Sequence, residues 1–329
     1  MASPSASGVI VCIGDIHGYV DKLFKLWRNL EICVGRSTFL VSTFIYLGDY
    51  CDRGPDTRKV LDFLISLPAS YPLQRHIFLC GNHDFAFAAF LHVLPASPPP
   101  PFTFQSTWEE YSLGHEMEGW WSGPDHDTMH IQGRRWAGNM QDRFNIKKGT
   151  EYQGSIYDAA PTFSSYGVSH GDPGLKDAVP PSHKTFLQNL AWIYEQDDFD
   201  VKEFGFKKLV AVHAGLEKSK SVEQQRKILY DKDVTLPRVE PFSGRKNVWD
   251  TPDELAEQGV LVVSGHHGKL HMDKLRLIID EGGGLPHLPI AAMILPSRML
   301  VRDTDDPNTY KSMAKDTRKD QDILPVGDC

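Results

Sequence analysis

Five short segments of the sequence end an apolar run and continue at once with residue types that bind metal ions. They are "GDIHG" at 14–18, "GDYCDRG" at 48–54, "GNHD" at 81–84, "VHAG" at 212–215 and "SGHHG" at 264–268. The potential ligands among them are carboxylates, imidazoles and one amide: Asp15, His17, Asp49, Asn82, His213 and either His266 or His267. Ligands of this kind suit divalent first-row metals, so we expect a site for two such ions.

Two metal ions side by side would favour the transfer of a phosphoryl group to water. Ions about 3.5–4 Å apart hold the attacking and leaving oxygens of an in-line displacement, and they lower the pKa of a bridging water from about 15.7 toward about 7. This chemistry supplies hydroxide without a side-chain nucleophile, and Asp49 is the candidate for a carboxylate shared by both ions. One such segment alone is most often a solvated turn, but five in succession, each after a predicted strand, favour a common site.

The first third of the chain alternates predicted strands with predicted helices. Its apolar runs predict strands at 8–13, 42–47 and 76–80, and its amphipathic segments predict helices at 19–31, 56–67 and 84–94, with Pro68 closing the second helix. Such alternation predicts an α/β domain with some parallel strand pairing. Since the strand ends of an α/β sheet converge on one edge, the polar segments are expected to meet there.

The pattern breaks at the proline-rich segment 95–102, because proline lacks a backbone donor and fixes φ. We interpret residues 95–180, which are rich in aromatics, Gly and His, as a cap inserted into the domain. Beyond it the sequence predicts helices at 182–195 and 221–230, and strands at 208–215, 259–268, 275–280, 290–295 and 299–303. The last four strands have no helices between them and predict an antiparallel meander. The expected fold class is α/β with α+β character: two packed mixed β-sheets flanked by helices.

Length and composition limit the classes of protein that this chain can belong to. Its 329 residues, 41% of them hydrophobic and 24% charged, suit a soluble protein with a flexible N-terminus at 1–7, one catalytic domain at 8–303 and a polar, disordered tail at 304–329. The net charge of −8 argues against binding to nucleic acid or to anionic membranes. Neither a signal segment nor a window of about 18 apolar residues is found, so we expect a cytoplasmic protein, with the nucleus left open as a second compartment.

Cysteine chemistry is a weaker alternative. The five cysteines form no Cys-x-x-Cys pair, which speaks against a zinc ribbon or a redox motif. One class of tyrosine phosphatases uses a Cys-x5-Arg loop, but Thr57 stands where that loop would need its arginine after Cys51, and Arg58 comes one position late. The sequence therefore favours a metal mechanism over a cysteine nucleophile.

The motifs "GDIHG", "GDYCDRG" and "GNHD" resemble the three signatures of the PPP-type phosphoprotein phosphatases, within the calcineurin-like metallophosphoesterases. The resemblance covers roughly residues 8–303 and implies a metallophosphoesterase β-sandwich. The third signature usually ends in Glu, whereas here it ends in Asp84. The "SAPNYC"-type loop of the common serine/threonine members is missing, and "IIDEGGGLPHLPIAAMIL" stands in its region. This difference, together with "GRRWAG" (133–138) and "SGRKNVWD" (243–250), resembles the plant Rhizobiales-like phosphatases of the second, tyrosine-directed type.

The resemblance implies a role for each matching residue. One manganese, iron or zinc ion would be bound by Asp15, His17 and Asp49, and a second by Asp49, Asn82, His213 and His266, the histidine that directly follows the glycine of its motif. His83 would be the general acid, and Asp52 would fix its tautomer and raise its pKa. Arg53 would bind the phosphate oxygens, with Arg245 as the second candidate; Arg134 and Arg135 are weaker candidates.

The function that the resemblance implies is hydrolysis of phosphotyrosine in a phosphoprotein by direct attack of a metal-bound hydroxide. Aromatic side chains of the insert would either wall a deep pocket or form a small core under the loops: Trp108, Tyr111, Trp120, Trp121 and Trp136. Three alternatives stay open: a serine/threonine-protein phosphatase of the same family, a symmetrical dinucleoside polyphosphate hydrolase, and a scaffold of the same fold without activity.

Overall fold

A computed structural model describes residues 8–96, 99–108, 118–146, 149–197, 199, 205–306 and 309. The expected flexible segment 1–7 lies outside the described residues, as does most of the expected tail at 304–329. The strands are β1 (Ile10–Ile13), β2 (Thr43–Tyr46), β3 (Arg75–Phe78), β4 (Phe144–Asn145), β5 (Thr150–Glu151), β6 (Tyr194–Gln196), β7 (Lys208–Ala211), β8 (Val260–Ser264), β9 (Leu270–Met272), β10 (Arg276–Ile279), β11 (Ala291–Leu295) and β12 (Met299–Arg302).

The helices lie between these strands. The α-helices are α1 (Val20–Val34), α2 (Arg36–Phe39), α3 (Thr57–Ser70), α4 (Asn82–Phe90), α5 (Ile131–Ala137), α6 (Ala160–Ser165), α7 (Leu175–Ala178), α8 (Pro181–Asn189), α9 (Val222–Asp231), α10 (Glu240–Ser243) and α11 (Asp253–Glu257). Short 3₁₀ turns cover Phe104–Thr107, His126–Thr128 and Lys246–Val248. No helix among the described ranges combines the length and the apolar character that crossing a membrane would require.

Two five-stranded sheets form the centre of the molecule. The first has the order β12-β11-β1-β2-β3 and the second has the order β6-β7-β8-β10-β9. Their facing sides share one apolar layer that includes Ile45 and Met293 of the first sheet and Val263 and Leu277 of the second. The outer faces pack under the helices, where Leu23 joins the larger core. The predicted α/β architecture of two mixed sheets flanked by helices is confirmed.

The predicted parallel pairing is found: β1, β2 and β3 are parallel to one another, and β7 is parallel to β8. The predicted antiparallel meander at the end of the chain holds only for its last pair, in which β11 and β12 are antiparallel. β8 pairs in parallel with β10, and the chain then crosses to the first sheet, where β11 pairs antiparallel with β1. Strands β8, β10 and β11 are buried at every residue. Such continuous apolar runs carry no sign of which neighbour a strand will choose.

Several predicted helix ends are also displaced: α1 ends at Val34 rather than at 31, and α4 ends at Phe90 rather than at 94. Helix α3 continues past Pro68 to Ser70; a proline in the last turn removes only one helical hydrogen bond, so the helix tolerates it there. Helix α8 ends at Asn189 rather than at 195. The chain then forms β6, in which Tyr194 pairs antiparallel with Ala211 of β7. Pairing at the edge of the second sheet therefore replaces the last turn of the predicted helix.

Candidate metal centre

The carboxyl ends of strands from both sheets meet at one edge of the molecule. Asp15 and His17 follow β1, Asp49 follows β2, and Asn82 opens α4 after β3. From the second sheet, His213 follows β7 and His266 follows β8. All six residues lie at this edge. His267, the alternative that the sequence left open, instead turns its Nε2 to the carbonyl oxygen of Ala214 at 2.8 Å.

Asp49 is the hub of the cluster. Its Oδ2 lies 3.3 Å from Nε2 of His213, 3.6 Å from Nε2 of His17 and 3.9 Å from Nε2 of His83. Two groups of potential ligand atoms share this carboxylate, each within 4.8 Å: one with His17 and His83, the other with His213 and His266. Asp15 completes the arrangement, since its Oδ2 lies 3.8 Å from Nε2 of His17. One carboxylate placed between two groups of ligands is the arrangement that a shared bridging ligand needs.

Glycines bring the motifs this close. A Cβ atom on Gly81 would lie 2.1 Å from Oδ1 of Asp49, and a Cβ atom on Gly265 would lie 2.1 Å from Oδ1 of Asp15. Asp49 itself has a φ of 55°, a backbone conformation that non-glycine residues seldom adopt. Backbone strain of this kind persists only where the surrounding structure enforces it, and it is concentrated at functional sites.

Hydrogen bonds on the far side of two imidazole rings fix their tautomers. Nδ1 of His17 donates to the carbonyl oxygen of Cys51 at 2.9 Å, and Nδ1 of His213 donates to that of Leu47 at 2.6 Å. Because a carbonyl only accepts, each Nδ1 carries a proton, so in its neutral form each ring has its lone pair on Nε2. Metal-binding histidines are commonly oriented in this way by a backbone carbonyl.

The donor atoms at this edge fit metal ions. Nε2 of His213 faces only acceptors, Oδ1 of Asn82 at 3.2 Å and Oδ2 of Asp49 at 3.3 Å. Nε2 of His266 is buried and has no hydrogen-bond partner among the described residues. A buried polar atom without a partner costs free energy and calls for an explanation. Cations between these atoms would give each of them a partner, and imidazole, carboxylate and amide oxygen suit Mn, Fe or Zn.

Crowding of acidic groups changes their pKa values in opposite directions. Burial would raise the pKa of Asp49, but the imidazoles of His213, His83 and His17 outweigh burial and hold it well below the usual range. Burial and the negative charges of Asp280 and Asp49 raise the pKa of Asp15 well above the usual range. Positive charge delivered between the two carboxylates would relieve their repulsion.

Asp84 has a structural role that the sequence did not reveal. Its carboxylate accepts hydrogen bonds from the backbone N–H groups of Asp49 at 2.7 Å, Tyr50 at 2.9 Å and Gly81 at 3.0 Å. Burial, with the charge of Asp49, raises its pKa to about 7. Asp84 therefore links the loop that carries Asp49 to the loop that carries Asn82. The acidic position that closes the "GNHD" motif was the one available signal.

The predicted acid and its partner are in contact. Nδ1 of His83 lies 2.7 Å from Oδ2 of Asp52, and both residues are buried. Asp52 also accepts hydrogen bonds from Trp136 and Thr162, two residues of the insert to which the sequence assigned no such role.

Cys51 is fully buried, and burial together with the neighbouring carboxylates raises the pKa of its thiol well above the usual value. A thiol in this state is a poor nucleophile.

The candidate arginines divide into two groups. Arg53 reaches into the cluster, with Nη1 2.5 Å from Nε2 of His17 and Nη2 3.0 Å from Nε2 of His83. Arg245 is an exposed residue, but its Nη1 donates to the carbonyl oxygen of His266 at 2.7 Å, so its guanidinium lies beside the cluster. In contrast, Arg134 donates to the carbonyl oxygen of Trp121, and Arg135 binds Glu118 through two hydrogen bonds.

Of the two roles left open for the aromatic residues of the insert, a core under the loops is found for Trp121 and Trp136. Trp136 is fully buried and Trp121 is 8% exposed, so both belong to the core under the loops. Trp108 packs under Arg134 at 4.2 Å, and Tyr111 lies outside the described residues. A different aromatic residue reaches the site: the ring of Tyr157 meets that of His83 edge to face, with 5.1 Å between their centres.

A model of the family described as calcineurin-like phosphoesterase matches residues 8–283. A curated relative, named "Putative serine/threonine-protein phosphatase C22H10.04" of Schizosaccharomyces pombe, is 36% identical over 75 residues, which is 23% of this chain and 22% of that relative's length. A solved "Cold-Active Protein Tyrosine Phosphatase" is 14% identical over 92% of this chain and 78% of its own, with a TM-score of 0.48. A solved "putative diadenosine tetraphosphatase" is 16% identical over 91% and 95%, with a TM-score of 0.46. At these identities neither solved structure bears on the substrate.

Proposed function

Since the chain belongs to the calcineurin-like phosphoesterase family, we propose that it is a two-metal phosphoprotein phosphatase of the Rhizobiales-like PPP type that hydrolyses phosphotyrosine. The observation that carries the proposal is the position of Asp49, whose Oδ2 lies 3.6 Å from Nε2 of His17 on one side of the cluster and 3.3 Å from Nε2 of His213 on the other, with His83 beside it. A shared carboxylate with a proton donor at its side is what hydrolysis of a phosphate ester requires.

The residues would divide between two ions. Asp15, His17 and Asp49 would hold one, and Asp49, Asn82, His213 and His266 would hold the other. When bound, such ions polarise the phosphoryl group and lower the pKa of the attacking water. The carbonyl oxygens of Cys51 and Leu47 would keep Nε2 of His17 and of His213 directed at them.

His83 would deliver a proton to the leaving oxygen. Its Nδ1 is tied to Asp52 at 2.7 Å, so its Nε2 is the atom that faces the cluster. As the bond between phosphorus and the leaving oxygen breaks, Nε2–H of the imidazolium gives its proton to that oxygen, and the carboxylate of Asp52 stabilises the charged ring beforehand. The products are the free hydroxyl group and inorganic phosphate.

Two guanidinium groups would bind the phosphate oxygens. Arg53 is held by the carbonyl oxygen of Gly283 at 2.5 Å and lies against both His17 and His83. Arg245 lies at the backbone of His266, to whose carbonyl oxygen its Nη1 donates. Planar guanidinium groups bind two phosphate oxygens at once, which provides local attraction for an anion on a chain of net charge −8.

Tyr157 supports the preference for phosphotyrosine. Its ring contacts His83, the residue that would protonate the leaving oxygen, so the group carrying that oxygen would lie near Tyr157. Its hydroxyl donates to Oε1 of Gln132 at 2.5 Å, which fixes the ring. Tyr157 is 8% exposed, so a phenyl leaving group would pack on the small part of this ring that stays open, whereas the short side chain of phosphoserine offers nothing to pack.

Phosphoserine and phosphothreonine are the second candidate substrates, because the curated relative carries the name of a serine/threonine-protein phosphatase. Matched phosphopeptides that present phosphotyrosine or phosphoserine in one backbone, assayed for phosphate release in manganese buffer, separate the two. We expect kcat/KM to favour phosphotyrosine by at least about tenfold, the discrimination that one apolar contact supplies. Preference for phosphoserine would replace the proposal with the second candidate, and turnover of diadenosine tetraphosphate alone would exclude both.

A further inference from the structure

The carboxylate of Asp52 receives more hydrogen bonds than the orientation of His83 would need. Besides Nδ1 of His83, its donors are Oγ1 of Thr162, 2.7 Å from Oδ1, and Nε1 of Trp136, 2.9 Å from Oδ2 and 3.1 Å from Oδ1. Asp52 is fully buried. Both extra donors come from the insert, which the sequence had assigned to capping the site.

The backbone of Asp52 is held as firmly as its side chain. Its φ is 70°, a strained value for a non-glycine residue. Its N–H donates to Oγ1 of Thr162 at 2.8 Å, so the same hydroxyl that binds the carboxylate also binds the strained peptide. Oγ1 of Thr57 lies 3.0 Å from that hydroxyl. The insert thus fixes both the backbone and the carboxylate of Asp52.

The indole of Trp136 cannot turn away from Asp52. Its ring stacks between Phe87, at 4.9 Å and 21°, and Phe163, at 4.8 Å and 23°. Phe87 lies on α4, the helix that carries His83, and Trp136 lies on α5, which packs along α4. Ring stacking therefore holds the indole N–H in a fixed relation to the acid.

These donors also favour the charged form of Asp52. Burial raises the pKa of Asp52 well above its usual range, and the hydrogen bonds from Thr162 and Trp136 oppose part of this rise. A carboxylate oriented by fixed donors is a better partner for an imidazolium than a mobile one.

We propose that Trp136, together with Thr162, is a positioning residue for the reaction: the two fix Asp52, which in turn directs Nε2 of His83 at the leaving oxygen. The inference rests on the proposed phosphatase function and extends it to the insert, which becomes part of the acid's support. It gives a physical reason for an indole at this position, since phenylalanine could fill the same core but could not donate.

The test uses the leaving-group dependence of hydrolysis in Trp136→Phe, which keeps the aromatic packing and removes the donor. A general acid matters for poor leaving groups and little for good ones, and it contributes about 10²–10⁴-fold in rate. We expect kcat on phenyl phosphate to fall by about tenfold, a part of that contribution, with KM nearly unchanged. We expect kcat on 2,4-dinitrophenyl phosphate to change by less than about twofold, because its leaving group needs no proton.

The matched control is Trp121→Phe, another buried tryptophan of the insert, whose indole donates to the carbonyl oxygen of Gly171 at 2.9 Å, away from Asp52. It should leave the leaving-group dependence unchanged. Thr162→Val is the second test variant, and it should reproduce the selective loss even if Trp136→Phe fails to fold. In an Asp52→Asn background, Trp136→Phe should cause no further loss, because residues that act through one another are not additive.

A readout without catalysis completes the test. In the metal-free, ¹⁵N-labelled protein, we expect the indole N–H resonance of Trp136 to shift in Asp52→Asn while that of Trp121 stays in place. Equal losses on both aryl phosphates, or an indole resonance that ignores Asp52, would overturn the role of Trp136 and leave the phosphatase proposal standing. A wild-type chain that hydrolyses neither aryl phosphate would overturn the phosphatase proposal and this inference with it.

Discussion

Oδ2 of Asp49 lies 3.3 Å from Nε2 of His213, although Asp49 follows a strand of the first sheet and His213 follows a strand of the second. The candidate centre therefore spans the two sheets. Asp49 is held from below by Asp84 and packed against Gly81, so its carboxylate is placed before any ion arrives. A site arranged in advance binds ions at a lower cost in ordering.

The role of Asp49 can be separated from a cysteine mechanism by two variants. Asp49→Asn should reduce hydrolysis of p-nitrophenyl phosphate to background, because the amide cannot serve as an anionic ligand shared by two ions. Cys51→Ser should keep most of the activity, since the thiol is buried and its pKa is raised. Steady-state rates with added manganese measure both, and the reverse outcome would point to a thiol nucleophile.

Replacing Asp84 should destabilise the fold more than a typical surface change. Asp84→Ala leaves three buried N–H groups without their acceptor. Each such group costs about 1–3 kcal/mol, so we expect the free energy of unfolding to fall by about 3 kcal/mol or more. Asp84→Glu, the residue usual at this position of the PPP signature, keeps the acceptor and should lose much less. Urea unfolding of the metal-free variants measures the difference; equal stability of Ala and Glu variants would show that the contacts are unimportant.

His130 should make stability depend on pH below neutrality. Burial lowers its pKa from 6.5 to about 4, and its Nε2 contacts the carbonyl oxygen of Leu236 at 3.0 Å. The folded protein keeps this ring neutral while the unfolded chain takes up a proton, so stability should fall as pH drops from about 6.5 to about 4. The loss from this residue is about 3 kcal/mol at most. His130→Gln should flatten the dependence of urea midpoints on pH in that window, and an unchanged slope would exclude His130 as its source.

The two arginines should differ in their effects on the reaction. Arg53 touches both His17 and His83, so Arg53→Ala should lower kcat/KM by about 10²–10³-fold, as loss of one fixed donor to transition-state charge does. Arg245 lies at the rim, so Arg245→Ala should act mainly through KM, by about tenfold. Kinetics on phosphotyrosine peptide tests both. A larger loss of kcat in Arg245→Ala than in Arg53→Ala would mean that the two arginines have each other's roles.

The sequence predicted the architecture because its signals are local. An apolar run that stops at a glycine and a polar residue, as at Gly14-Asp15 and Gly81-Asn82, indicates a strand end regardless of the rest of the chain. The choice of His266 over His267 as the ligand rested only on the resemblance, because periodicity cannot distinguish two neighbouring histidines. Strand order between β8 and β10 was missed because fully buried strands show no alternation that identifies a partner.

The contact between Trp136 and Asp52, the partner of His83, could not be predicted from the sequence for a different reason. Trp136 and Asp52 are far apart along the chain, and an aromatic residue in an irregular insert can equally line a pocket or fill a core. Only the packing of α5 on α4 brings the indole N–H to the carboxylate. Tyr157 lies in the same insert and also contacts His83, and no pattern in the sequence had indicated this contact.

The most direct test of the whole account is the metal content of the protein after loading with manganese and removal of excess ions. Elemental analysis of the wild-type chain should find two ions per chain, and Asp49→Asn, which removes the shared carboxylate, should hold fewer than one. Phosphate release should rise with occupancy of both sites. A wild-type chain that holds no ion, or a variant that holds two as firmly as the wild type, would contradict the two-metal centre built around Asp49.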